Sequence, residues 1–236
     1  GSGVGGNGSE WGVVANGNIN STAGAVNTGS GGGGTGAGGA GPANGTPTLS
    51  GHGGSGIVVI RALTSETSGS TGNWDTTGTV DSYTWYKWTT VTSAGKFTPS
   101  QSASYEYLVI AGGGAGFAPQ GGGGGAGGYR TGTLTVSSAV TGITVGAGAL
   151  HITHPAIPIV GDNSVFSTIT SLGGGGGAGG TGGLNTKPAK DGGSGGGGAG
   201  DSVTGNNPDT VPGNGTTTTD ISGKVTRIHA TSLAWA

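Results

Sequence analysis

The chain has 236 residues, enough for one large domain or two small ones, and its 62 glycines and 9 prolines resemble a low-complexity composition. Only 8% of its residues are charged and its net charge is −2, which lacks the charge that keeps disordered chains soluble, so the clustered apolar residues point to packing. Cysteine is absent, which excludes disulfides and thiolate metal sites; no basic cluster marks a nucleic-acid surface, and no apolar run approaches the ~20 residues that span a bilayer.

In chain order, the N-terminus Gly-Ser-Gly-Val has neither Met nor a basic-then-apolar leader, and reads as a fragment or a processed product. Residues 1–56 are a Gly/Asn/Ser-rich array that runs into the strand "GIVVIRAL" (56–63). Residues 64–82 are polar and form the best linker candidate. Two or three strands follow within 83–110: "YTWYKWTTV", "GKFTPS" and "YEYLVI". Residues 129–146 predict a hairpin, with Leu134 and Val136 on one strand and Ile143 and Val145 on the other. A strand or two is expected around "NSVFSTITSL" (163–172), and glycine then dominates to about residue 216. No segment has the period of an amphipathic helix. Tyr83, Trp85, Tyr105 and Tyr107 lie on strands and are expected in the core or half-buried. Trp11, Trp74 and Phe117 stand in polar or glycine-rich surroundings, where aromatics serve as exposed contact groups. Phe117 in "GFAPQG" is expected first as a lid packed on the glycine array, with receptor contact as the second reading.

The glycine runs are ordered. In "LGGGGGAGGTGGL" the non-glycine residues Leu172, Ala178, Thr181 and Leu184 are spaced six, three and three apart. An extended helix of the polyproline-II type has three residues per turn, so these side chains share one edge and the other two edges are bare backbone. A β-strand would scatter them over both faces. Ala126 and Tyr129 repeat the spacing, as do Ala37 and Ala40. Such a helix has no internal hydrogen bonds, and ordering it costs about 1–2 kcal/mol per residue, more for glycine. Bare helices can approach closely enough to bond each other, at about 0.5–1.5 kcal/mol net per N–H···O bond, with Cα–H···O contacts adding ~0.5–1 kcal/mol. These contributions nearly cancel. The array therefore needs a nucleus, and the strand Tyr107–Ile110, which runs straight into glycine, is the expected anchor.

The stretch "YLVIAGGGAG…GGGGGAGGYRTGTLTVSSAVTGITVGAGA" (107–149) resembles the opening of the glycine-rich domain of bacteriophage tail fibres and distal adhesins. "GDNSVFSTITSLGGGGGAGG" (161–180) resembles the next section, and "GGSGIVVIR" (53–61) its closing strand. The resemblance implies an all-β fold with packed polyglycine-II helices, in which short strands and hairpins anchor a glycine-rich helical array and α-helix is essentially absent. It also implies a division: 1–63 as the C-terminal part of one unit, 64–82 as a linker, and 83–236 as the start and middle of a second. The ending "DISGKVTRIHATSLAWA" (220–236) is atypical, which leaves open a cut from a tandem array, a permuted unit, or dependence on a neighbouring chain.

The implied function is a virion fibre or adhesin module, extracellular and structural, that meets a host receptor (a glycan or an outer-membrane protein) through loops. Other fibre subunits, including a second copy, are expected partners; nucleic acid and membrane insertion are not. The loops "GFAPQG", "ALHITHPAIPIVGDN" and "GLNTKPAKDG" hold the receptor-contact candidates Phe117, Gln120, His151, His154 and Lys187. Gly112, Gly113, Gly114, Gly174 and Gly176 are the expected structural glycines. A purely structural fibre, or a secreted polyglycine-II scaffold such as an ice-binding protein, is the alternative. "GGSGG" (192–196) fits a nucleophile elbow formally but lacks the strand-to-helix context, and "HITH" (151–154) reads as surface histidines rather than a metal site. No catalytic residue, cofactor or metal is expected.

Overall fold

The β-branched run at Ile57–Ile60 forms a strand because its side chains suit a pleated surface, and its alternation buries Val58, Ile60 and Ala62 while turning Arg61 outward. In the computed structural model, residues 4–8, 21–35, 49–118, 121–153, 157–179, 188–198, 213–215, 218–219 and 225–226 are described. Their elements, in chain order, are β1 (Ile57–Leu63), the helical turn α1 (Thr64–Thr67), β2 (Thr71–Gly72), β3 (Thr76–Val80), β4 (Tyr83–Trp88), β5 (Thr92–Thr98), β6 (Ala103–Ile110) and β7 (Phe117–Ala118). These are followed by β8 (Tyr129–Val136), β9 (Val140–Val145), β10 (Ile152–Thr153), β11 (Ser164–Phe166), β12 (Ile169–Ser171), β13 (Thr218–Thr219) and β14 (Val225–Thr226). The described residues are thus all-β apart from one helical turn, as expected.

Ten of these strands make two antiparallel sheets of five, ordered β3-β4-β1-β6-β8 and β12-β11-β9-β5-β2. The sheets bury one face each against the other. Val58, Ile60, Tyr86, Trp88, Tyr105, Tyr107 and Val109 come from the first, and Phe97, Val140, Ile143, Val145 and Phe166 from the second. Phe97 is the hub of the aromatic packing, with ring centroids 5.1 Å from Tyr86 and 5.2 Å from Tyr105.

Four expectations change. The segment 64–82 is not a linker: it supplies α1, β2 and β3, with β2 in one sheet and β3 in the other. Nor does 1–63 stand apart as a separate unit, because β1 lies between β4 and β6, in register with both. Residues 129–146 are not a hairpin either. β8 pairs with β6 in the first sheet and β9 with β5 and β11 in the second, so the three residues 137–139 cross between sheets. Sheets about 10 Å apart are within reach of so short a link. Finally, Trp74 is not an exposed contact group but packs 4.5 Å from Tyr86. Tyr105 and Tyr107 are in the core as expected. Tyr83 and Trp85 are half-buried on the outer face, with the Arg61 guanidinium 4.9 Å over Tyr83 and Lys87 Nζ 5.5 Å over Trp85.

The core carries two buried polar atoms with no hydrogen-bond partner among the described residues, Trp88 Nε1 and Tyr105 Oη. Burial pushes the Tyr105 phenol up from its ordinary value of 10.0, against the pull of the nearby Ser70 hydroxyl, which is not in hydrogen-bonding geometry. An unpartnered buried hydroxyl costs free energy. Tyr105→Phe is therefore expected to leave the melting temperature unchanged or raise it by a few degrees in calorimetry. A fall of several degrees would show that the hydroxyl has a partner.

Candidate functional site

Where β6 ends, the chain continues as "AGGGAG" (111–116), outside any strand or helix. Its amide groups take partners in strict rotation. Ala111 and Gly114 donate to Gly128 and Gly125, Gly112 and Ala115 donate to Asp162 and Ile159, and Gly113 and Gly116 donate to Gly54 and Gly51. A partner that recurs every third residue is the mark of a three-fold helix. Carbonyls of the same tract accept from Gly32, Ala149, Gly174 and Gly177. The tract thus has six neighbours: it donates to 49–56, 121–128 and 157–162, and accepts from 29–35, 146–151 and 172–179. The registers run antiparallel to the first three and parallel to the others. This is hexagonal packing of polyglycine-II helices, with 111–116 at the centre.

The same rotation holds in the next layer. Along 121–128, residues 121, 124 and 127 donate to 29–35, while 122, 125 and 128 donate to 172–178. Within the expected helix 173–183, the described part behaves as predicted: 174 and 177 donate to the central tract, and 175 and 178 donate to Ser194 and Gly197. Thr181 and Leu184 lie outside the described residues. Leu172, Gly175 and Ala178 present their carbonyls to one neighbour, 121–128. Their edge is not open, however. Ala178 is fully buried, and a Cβ on Gly175 would strike the Lys190 carbonyl.

Glycine is required here because the neighbours are backbone. A Cβ on Gly112 would collide with Ala147, on Gly113 with Ser30, on Gly114 with Gly175 and on Gly174 with Gly125. On Gly176 it would lie 2.7 Å from the Ile159 amide. Main chain held by its own hydrogen bonds cannot yield as a flexible side chain would.

The alternating directions bring the connections together. Tracts 29–35, 111–116, 146–151 and 172–179 run away from the sheets, and 49–56, 121–128 and 157–162 return, so the outgoing tracts end and the returning ones begin on the side remote from the sandwich. At that end β7 and β10 form a short parallel pair. Phe117 of β7 packs as the expected lid and not as an exposed contact: it is fully buried, and its ring occupies the space where a Cβ on Gly179 would stand. Gln120, His154 and Lys187 lie outside the described residues. His151 is half-buried against His52, with ring centroids 4.4 Å apart. The sequence reading missed that pairing, because the two histidines are separated by 99 positions. No group of three or more His, Cys, Asp or Glu side chains among the described residues is placed to hold a metal. Ser194 of the formal elbow sits inside the lattice, its N–H on Ala126 and its carbonyl accepting from Gly175. On the outer face of the first sheet, a shallow depression is bridged by the Arg61–Glu106 ion pair at 2.7 Å.

These features define a class: a β-sandwich continuous with a hydrogen-bonded polyglycine-II lattice. The sequence profile of the glycine-rich domain family matches residues 90–231, and the chain belongs to that family. Comparison with curated proteins and with solved structures gives no match. The profile leaves out β1 and the tracts 29–35 and 49–56, which the hydrogen bonds place in the same array.

Proposed function

We propose that the protein is a fibre or adhesin module of a bacteriophage tail, structural in its lattice and receptor-binding at its loop end. One observation carries this reading. A hydrogen-bonded lattice brings the ends of the tracts 29–35, 111–116, 146–151 and 172–179 to the side remote from the sheets, which suits a rigid scaffold that presents loops for binding. Leu150 and Ile157 flank one of those loops and are 68% and 63% exposed, an arrangement suited to contact with a surface receptor. The partners are a host-surface glycan or outer-membrane protein at the tip and other fibre subunits along the shaft.

The test is adsorption of the parent particle to its host. Gln120→Ala, His154→Ala and Lys187→Ala, combined with Leu150→Ser and Ile157→Ser, should reduce adsorption by about tenfold or more, the change expected from losing contacts worth about 1.4 kcal/mol or more. Thermal melting of the purified chain should hardly change. Phe117 and His151 stay native in this variant because both hold the lattice together. Normal adsorption would overturn receptor contact, and immunogold labelling anywhere but on a fibre would overturn the fibre reading.

A further inference from the structure

His52 lies in the returning tract 49–56 and His151 at the outer end of 146–151. The His151 backbone N–H donates to His52 Nδ1 at 3.0 Å, and His52 Nε2 lies 2.9 Å from His151 Nδ1. A ring nitrogen that receives an N–H carries no proton itself, so neutral His52 holds its proton on Nε2. It then donates to His151 Nδ1, which leaves the His151 proton on Nε2. Hydrogen-bond geometry fixes both tautomers. A further proton on His52 has only Nδ1 to go to, and that Nδ1 is already accepting from the His151 N–H. Donor would then face donor. The charged form of His52 has no place in this arrangement.

We propose that the His52–His151 pair is an acid-released latch that fastens the root of the loop leaving residue 151 to the tract 49–56.

Among the described residues, the tracts packed around His52 bring no opposite charge. Tract 21–25, whose Gly24 N–H donates to the His52 carbonyl, and tracts 29–35 and 111–116 contain only Gly, Ala, Ser and Thr. Tract 146–151 brings no titratable group besides His151, and β7 brings only Phe117 and Ala118. Burial, and then the neighbouring His151, lower His52 below its ordinary value of 6.5. A group whose pKa is depressed in the closed state stabilises that state fully above its open-state pKa. That stabilisation is lost as pH falls from about 6.5 towards the closed-state value. Within this window the opening equilibrium rises about tenfold per pH unit for one proton taken up. The latch rests on its own geometry and stands whether or not the loop meets a receptor.

Hydrogen exchange of the full chain tests it, read by mass spectrometry at pH 7.5, 6.5 and 5.5 and corrected for intrinsic chemical rates. Peptides covering 149–153 should lose protection about tenfold per pH unit below about 6.5, while 111–116 stays protected throughout. His52→Gln keeps an acceptor and a donor at similar spacing without the His52 charge, so its 149–153 protection should fall with pH less steeply than that of the native chain. His52→Ala should leave the His151 N–H unprotected at every pH, while the Ala149 N–H keeps its bond to Gly113. Flat protection in the native chain, or the same pH dependence in His52→Gln, would overturn the latch. A long-range proton–nitrogen spectrum of the native chain at pH 7.5 gives an independent reading. His52 should appear as the Nε2–H tautomer, and an Nδ1–H or doubly protonated ring would overturn the proposal whatever the variants do.

Discussion

Gly114→Ala is expected to destabilise the fold severely, with the cooperative melt lost or moved down by well over ten degrees. The sign alone is informative. Where space allows, replacing glycine by alanine stabilises a protein by about 0.4–1 kcal/mol through the unfolded chain. At Gly114 the new methyl group would enter the backbone of Gly175 and Gly174. Relief requires separating tracts that Gly114 itself joins, by its N–H to Gly125 at 2.8 Å and by its carbonyl to the Gly32 N–H at 3.0 Å. Overpacking at roughly 1–3 kcal/mol and two orphaned backbone bonds at roughly 1–3 kcal/mol each total about 3–9 kcal/mol, out of the ~5–15 kcal/mol that keeps a domain folded. Two controls separate this from a general intolerance of alanine. A Cβ on Gly5 would meet nothing within 4 Å, and on Gly123 its nearest neighbour is the Gly32 carbonyl at 3.4 Å. Both variants should melt close to the native protein in circular dichroism. If Gly114→Ala melted with them, the tracts would not be in contact and the lattice would have to be given up.

The outward edge of 121–128 shows how much of this was written in the chain. Gly123, Ala126 and Tyr129 are three apart. Gly123 has the nearest thing to open space, Ala126 is exposed and Tyr129 is 48% exposed. Between them, a Cβ on Gly124 would strike Gly114 and one on Gly127 would strike Ala111. A side chain every third residue is thus a direct record of which edge faces out, legible without a structure because the period of the helix is a whole number. The strands were legible for the corresponding reason, a period of two. What the period cannot record is which tract lies beside which. That information is carried by N–H and C=O groups, which are the same in every residue, and Gly113 has nothing in its side chain to say that its partner is Gly54. The resemblance of 53–61 to a closing strand assigns β1 to a separate unit, and nothing in its side chains corrects that. Its pattern reported a half-buried strand, but its position between β4 and β6 is long-range register. Leu172 and Ala178 mark the limit of the pattern, since they share an edge as predicted, yet Leu172 is exposed while Gly175 and Ala178 are covered by 188–198.

Phe117 shows the same limit at the loop end, and its removal is the second large effect. Read in sequence, an aromatic in "GFAPQG" fits a lid on the glycine array or contact with a partner, and the pattern alone does not say which. In the structure its ring is fully buried on Gly179, and its backbone binds three tracts together. The Phe117 N–H donates to Gly122 at 3.1 Å, and its carbonyl accepts from both the N–H and the hydroxyl of Thr35 at 3.2 Å. The glycine at 179 is what makes room for the ring. Phe117→Ala leaves a cavity whose walls are hydrogen-bonded backbone and cannot collapse, so the cost should fall at about 3–5 kcal/mol. At about 2–4 °C per kcal/mol for a chain of this size, the melting temperature should drop by roughly 6–20 °C. Phe117→Leu, which refills most of the volume, should recover most of the loss. Gly179→Ala should fail in the native background, where its methyl group meets the ring, yet cost far less when combined with Phe117→Ala, a coupling that a double-mutant cycle reads directly. If Phe117→Ala instead melted like the native protein, the ring would be a surface group after all and would rejoin the candidates for receptor contact.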